Sequence, residues 1–256
     1  MKKKTIALIL GALMIIGLVG CDTPEPEVSD VNTDRTSQEV YEEKNTDANT
    51  PSQENYEEKY QETLDTIYNF IKNIDSDAEY DEQYMGIFEA ALSLGDESLS
   101  KIGYIFKDLN GDDVPELLIG SFETMEYAFT NNDIYMLYAL KNDKPELILE
   151  GRSRSMYSLT DDGKFFYMGS NGAAYSIFGT FYLSKDGEIV CDDYYFTYPD
   201  DNDYSKIELY HNQTGEFERE GSEKLDIALD AFWTLQDEAA QTTAKITAAS
   251  FESWGD

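Results

Sequence analysis

Met156-Tyr157-Ser158-Leu159-Thr160-Asp161-Asp162-Gly163-Lys164-Phe165-Phe166-Tyr167-Met168 is the stretch whose reading decides the fold. Two short apolar and aromatic runs, Met156 to Leu159 and Phe165 to Met168, flank the turn Asp161-Asp162-Gly163. Runs of that length are strand-sized, and a Gly-containing turn between them is a hairpin signal. The arrangement recurs on both sides. Ile134 to Leu140 and Glu146 to Leu149 flank Lys141-Asn142-Asp143-Lys144-Pro145, and Thr180 to Leu183 and Glu188 to Cys191 flank Lys185-Asp186-Gly187. Ile207 to Tyr210 and Glu216 to Arg219 flank Asn212-Gln213-Thr214-Gly215. Upstream, Ile102 to Phe106 and Leu117 to Ile119 flank an acidic loop. Hairpin length is only loosely repeated, with too few units to close a propeller ring. The expectation is an antiparallel sheet of successive β-hairpins.

The period changes outside this region. Tyr60, Leu64, Ile67, Tyr68, Phe70 and Ile71 fall near helical spacing and predict an amphipathic helix over about 56–74. A second helix is predicted over Asp81 to Leu94, with Tyr84, Ile87, Phe88, Ala91 and Leu92 on one face and Gly95 as its stop. Asp75, Asp77 and Glu79 between them read as capping and linker residues. Leu225 to Gln241 predicts a C-terminal helix covering one sheet face, and Ile246 to Trp254 is a last strand or a packed terminus. The expected fold is therefore α+β, as a single globular domain over 56–256.

The N-terminus carries its own signal. Lys2, Lys3 and Lys4 precede an apolar run from Thr5 to Val19, which ends in Leu18-Val19-Gly20-Cys21. The run is short for a membrane span and is followed by acidic residues, not a positive flank. It resembles a bacterial lipoprotein signal. That resemblance implies a signal peptide over 1–20 and lipidation of the Cys21 sulfur by a diacylglyceryl group. The rest of the chain would then sit at the extracytoplasmic face of the cell membrane, with the lipid anchor as its membrane partner. From Asp22 to about Asn55 apolar periodicity is absent, and 21–55 reads as a disordered acidic linker.

Charge narrows the function. The formal net charge is −33, and loss of the three lysines with the leader takes it to −36. Nucleic acid is excluded as a partner, because phosphate affinity comes from Lys and Arg. Electrostatic binding to anionic lipid headgroups is disfavoured as well, so any membrane attachment has to come from acyl chains. With Cys21 lipidated, Cys191 is the one thiol left, so an intramolecular disulfide is excluded and Cys191 reads as a small buried hydrophobe.

One constellation carries chemistry. Asp108, Asn110 and Asp112 stand at alternate positions, followed by Val114 and Glu116. Ca²⁺ takes six to eight oxygens from carboxylates, amides and backbone carbonyls, and alternate residues of a curled loop converge on one ion. Asp108, Asn110, Asp112 and Glu116 would ligate by side chain and Val114 by its carbonyl. An EF-hand is excluded, because Ile119 stands at position 12, Asp113 at position 6, and the flanks are β. The segment Phe106 to Gly120 resembles the strand-flanked calcium loop of FG-GAP and integrin-type repeats. It is especially similar to that of uncharacterised lipoproteins of Gram-positive, Clostridia-like bacteria. The resemblance implies one weakly bound Ca²⁺ after a helical N-terminal part and before β-hairpins. The other reading is an acidic turn whose side chains cap their own backbone. Asp200, Asp201 and Asp203 read as a polar loop.

Enzyme signatures are thin. His211, the one histidine, lies beside Asn212 in an expected exposed hairpin turn, so neither a Ser-His-Asp triad nor a zinc site has its parts. Gly169 to Ser176 joins two β segments and reads as a flexible loop, not a phosphate cradle. The expectation is a non-enzymatic surface lipoprotein with a calcium-stabilised β domain, a binding or accessory module for a glycan or protein ligand. The alternative is a surface hydrolase acting on wall glycan or peptide through paired carboxylates. Tyr135, Tyr138, Tyr157, Tyr167, Tyr175, Tyr182, Tyr194, Tyr195 and Tyr198 fall on or near the hairpins, as strand formers first and as a recognition face second.

Overall fold

The computed structural model describes residues 53–74, 82–121, 133–240, 246 and 248–255. The expected leader at 1–20, Cys21, nearly all of the expected linker and Asp75, Asp77 and Glu79 lie outside the described residues. The chain divides after Ala48, and the unit Asn49–Asp256 holds all the structure that follows. Its first helix, α1, is Gln53–Lys72, starting three residues before the expected position. Tyr60, Leu64, Ile67 and Ile71 form its fully buried stripe, at the helical spacing that predicted it. A 3-10 turn at Glu82–Tyr84 leads into α2 (Met85–Leu94), and the short α3 (Ser98–Lys101) passes directly into the sheet.

Among the described residues eleven antiparallel strands follow: β1 Ile102–Lys107, β2 Glu116–Ser121, β3 Asp133–Lys141, β4 Lys144–Glu150, β5 Ser155–Leu159, β6 Phe165–Gly172, β7 Tyr175–Leu183, β8 Ile189–Pro199, β9 Ile207–Asn212, β10 Glu223–Leu225 and β11 Ala249–Ser250. Their order is β10-β9-β8-β7-β6-β5-β3-β2-β1-β11, with β4 also on β3. Helix α4 (Leu229–Ala240) comes after β10. The antiparallel sheet with helices at both ends stands, but the balance differs from α+β. The chain is mainly β.

Three local expectations are corrected. Glu216 to Arg219 is a loop, because the Asn212 carboxamide takes the partners a strand would use. Its Oδ1 accepts from Thr214 and Gly215 N, and its Nδ2 donates to the Glu216 carbonyl. The partner of β9 is instead β10, with Glu223 opposite His211. Leu225 ends that strand, so the C-terminal helix begins only at Leu229. Gly169 to Ser176 tightens into a hairpin, with Gly172 opposite Tyr175 and the Thr197 hydroxyl bridging Ser176 N and the Ala174 carbonyl at 2.8 Å each. The open choice at the C-terminus resolves as β11 pairing with β1, then a 3-10 turn that buries Phe251.

The sheet is coiled. In a flat sheet the β3–β4 tip and the β7–β8 tip would stand at opposite ends, because the antiparallel steps through β5 and β6 leave β3 and β7 running in opposite directions. Lys141 of the first instead meets Glu188 of the second at 3.6 Å. The inner face gathers Leu118, Leu137, Leu149, Leu159, Phe165 and Leu183 into one core. The outer side of β1–β3 packs under α1 and α2, with Leu117, Ile119, Met136 and Tyr138 meeting Tyr60, Leu64 and Ile67. Phe166, Phe178 and Leu209 pack under Phe232 of α4, which therefore covers one sheet face as expected.

Helix α2 approaches so closely that side chains are excluded at the contact. A Cβ at buried Gly86 would collide with the backbone carbonyl of Gly151, between β4 and β5. Gly86→Ala is therefore expected to lower stability by about 1–3 kcal/mol, as overpacking does, despite the better helix propensity of Ala. Denaturant unfolding measures it, and an unchanged midpoint would refute the contact.

Candidate metal centre

The acidic loop joins β1 to β2, whose strands pair in register from Ile102 opposite Ser121 to Lys107 opposite Glu116. This pairing decides the loop's shape. It returns Glu116, the first residue of β2, to the point where the chain left β1. The Glu116 carboxylate reaches back across the loop, its Oε2 accepting from Leu109 N at 2.8 Å and its Oε1 from Asn110 Nδ2 at 3.4 Å. Asn110 Nδ2 also lies 3.3 Å from Asp112 Oδ2. The neutral amide donor of Asn110 thus stands between two carboxylates.

Asp108 organises the backbone. Its Oδ1 accepts from Gly111 N at 2.7 Å and Asp112 N at 3.3 Å, and its Oδ2 from Asp113 N at 3.1 Å. Asn110 Oδ1 accepts from Asp112 N, and Asp112 Oδ1 accepts from Val114 N at 2.8 Å. Left-handed φ values of 72° at Gly111 and 65° at Asp113 carry the curl. Asp bears the second because a short polar side chain tolerates that region better than most.

The loop is both self-capping and convergent. Among the described residues, no three His, Cys, Asp or Glu stand ready around an ion as they lie. The carboxylates nevertheless keep capacity, since each has about four lone-pair positions and accepts only two or three N–H groups here. Asp108, Asn110, Asp112 and Glu116 are brought into one hydrogen-bonded group, whereas Val114 joins it through its N–H. The donor set is all oxygen once the Asn110 carboxamide turns its Oδ1 inward, which suits a hard cation.

Glu116 decides the electrostatics. It is 2% exposed, and its carboxyl is pushed up to about 7 by burial, then by Asp112 and Asp108, against the opposing Leu109 hydrogen bond. The donors it meets across the loop, Leu109 N and Asn110 Nδ2, are both neutral. Such burial favours the neutral, protonated carboxyl.

Sequence reasoning missed Tyr56 as a loop contact and read Tyr60 as core alone. Both come from α1, one turn apart. The Tyr56 hydroxyl donates to the Asp113 carbonyl at 3.2 Å, and the Tyr60 hydroxyl lies 3.4 Å from the carbonyls of both Pro115 and Tyr138. Tyrosines on a buried helical stripe were the available signal, since a buried phenol tip seeks an acceptor.

The other polar clusters have structural partners. His211 is corrected from an exposed turn to a half-buried position on β9. Its Nε2 lies 2.8 Å from Asp193 Oδ1, and its ring packs 4.6 Å from that of Tyr195. Asp201 pairs with Arg219 at 2.9 Å, while Asp200 accepts from the N–H groups of Asn202 and Asp203. Burial, then Asp193 and Asp192, pushes the half-buried Cys191 thiol up to about 11, the reverse of an activated nucleophile. No protein-family model, curated protein or solved structure matches the chain.

Proposed function

We propose that the chain is a cell-surface lipoprotein, anchored through Cys21, whose β domain holds one Ca²⁺ and serves as a non-enzymatic binding or accessory module. Its address rests on the leader and Cys21. The calcium reading rests on one observation, the buried Glu116 carboxylate held beside Asp108, Asn110 and Asp112 by the neutral donors of Leu109 and Asn110. Asp108, Asn110, Asp112 and Glu116 would hold the ion by side chain and Val114 by its carbonyl. The ion would supply the positive charge that the Asn110 amide replaces and would tie the end of β1 to the start of β2. Three carboxylates and one amide suit the weak affinities of extracellular modules, on the order of 10⁻⁴–10⁻³ M.

Thermal unfolding of the unit Asn49–Asp256 tests this. At millimolar Ca²⁺ and that affinity, linkage adds about 0.4–1.4 kcal/mol. For a unit of this size the expected rise is roughly 1–6 °C. It should be selective over Mg²⁺, which dehydrates reluctantly. Asp108→Ala/Asp112→Ala should abolish it. The absence of any rise up to several millimolar Ca²⁺ would reduce the loop to a self-capped acidic turn.

A further inference from the structure

Two carbonyls of the acidic loop are held by a helix distant from it in sequence. The Tyr56 hydroxyl holds that of Asp113 at 3.2 Å, and Tyr60 shares its proton between those of Pro115 and Tyr138 at 3.4 Å. Tyr56 and Tyr60 are 7% and 0% exposed. Asp113 and Pro115 flank Val114, the residue whose carbonyl the calcium reading uses. The residue before a proline is restricted to extended backbone. In extended chain successive carbonyls face opposite ways, so holding that of Pro115 towards α1 turns that of Val114 away from the helix. The same helix is tied to the next hairpin by Lys59 and Asp143, 2.7 Å apart. Burial, then Glu116 and Asp112, raises the Tyr60 hydroxyl, which keeps it a proton donor.

We infer that Tyr56 and Tyr60 are positioning residues of the metal loop, so that cation binding at Asp108–Glu116 and docking of α1 on the sheet are coupled. The inference rests on the calcium reading above. Docked α1 holds the loop backbone in the shape that presents its oxygens. An ordered loop in turn gives the two hydroxyls fixed acceptors. Thermodynamic linkage makes the effect reciprocal, so the factor by which docking tightens the ion equals the factor by which the ion tightens docking. Since α1 follows directly on the residues leading from Cys21, the ion would set how firmly the β domain holds its own N-terminal helix.

The test uses the full chain in detergent, with calcium as the probe. Calorimetric titration gives its affinity, and hydrogen exchange reports α1 with and without the ion. Tyr56→Phe and Tyr60→Phe keep the ring and remove the hydroxyl. Each is expected to weaken calcium three- to tenfold, and calcium should slow exchange of the wild-type α1 amides by a similar factor. Leu209→Val, in the core beneath α4, should lower the melting temperature and leave calcium affinity unchanged. Calcium binding to both tyrosine variants with wild-type affinity, or protecting the loop while α1 exchanges as before, overturns the coupling and leaves the metal loop standing. Absence of calcium binding to the wild type overturns both.

Discussion

Metal-free protein carrying Glu116→Gln is expected to melt above the wild type at pH 8, by roughly 6–12 °C. The carboxyl sits at about 7 in the folded protein against an ordinary value of 4.5, through burial first and the neighbouring Asp112 and Asp108 second. The folded state therefore holds a proton that the unfolded chain has already released. Stability from this group is fully present below about pH 4.5, declines as pH rises, and is gone above about 7. The penalty at pH 8 is about 3 kcal/mol, since each pH unit between the folded and ordinary values is worth about 1.36 kcal/mol. Gln has nearly the same shape, keeps an acceptor for Leu109 N and carries no charge to bury. For a unit of this size about 3 kcal/mol is worth the stated rise in melting temperature.

The advantage should shrink as pH falls through 7 and vanish near 4.5, where Glu116 is neutral in both states. Other carboxylates titrate in that range too, but the difference between the two proteins isolates this one. Calcium is expected to raise the melting temperature of the wild type and not of the variant, in which the charge it would compensate is gone. Melting curves at pH 5, 6.5 and 8 with and without Ca²⁺ give both results. Equal melting at pH 8 would show that the buried carboxylate carries no penalty. A full calcium response in the variant would move the ion away from Glu116.

Phe232→Ala is expected to cost about 3–5 kcal/mol, the range for removing a buried aromatic ring. Phe232 is the fully buried residue of α4, at 0% exposure. Its ring meets that of Phe178 edge-on at 5.0 Å and that of Tyr195 at 6.4 Å. The flanking apolar residues Leu229 and Leu235 are 42% and 36% exposed and anchor little. At twelve residues α4 is at the margin of what persists without tertiary packing. Hydrogen exchange should accordingly show α4 released before β7 to β9. A variant that melts within a degree or two of the wild type, with α4 amides still protected, would refute the anchor.

Much of this architecture was legible in the residues because the signals are local. The spacing of Tyr60, Leu64, Ile67 and Ile71 places a buried stripe on α1 whatever lies opposite it. The turns at Asp161-Asp162-Gly163 and Lys185-Asp186-Gly187 need only their own backbone preferences, and both form hairpins as expected. The ligand-type spacing of Asp108, Asn110, Asp112 and Glu116 is likewise local, and those four residues do share one hydrogen-bonded group.

What the residues alone left open depended on partners remote in sequence. Strand β8 runs on through Asp192-Asp193-Tyr194-Tyr195-Phe196-Thr197-Tyr198-Pro199 because β7 and β9 pair along it, although its acids and proline argue against a strand. Glu216 to Arg219 has a strand-like flank, yet Asn212 hydrogen bonds and the packing of Phe217 on Phe196 hold it as a loop. The charged segment Glu223-Lys224-Leu225 takes its place because β9 has an edge to offer. Periodicities, turns and the acidic loop can be read from the chain alone, since neighbours a few residues away settle them. The coil of the sheet, the burial of Glu116 and the meeting of Tyr56 and Tyr60 with that loop arise only in the assembled fold. Burial, pairing and a raised carboxyl are properties of which distant surfaces come together, and local residue preferences do not encode them.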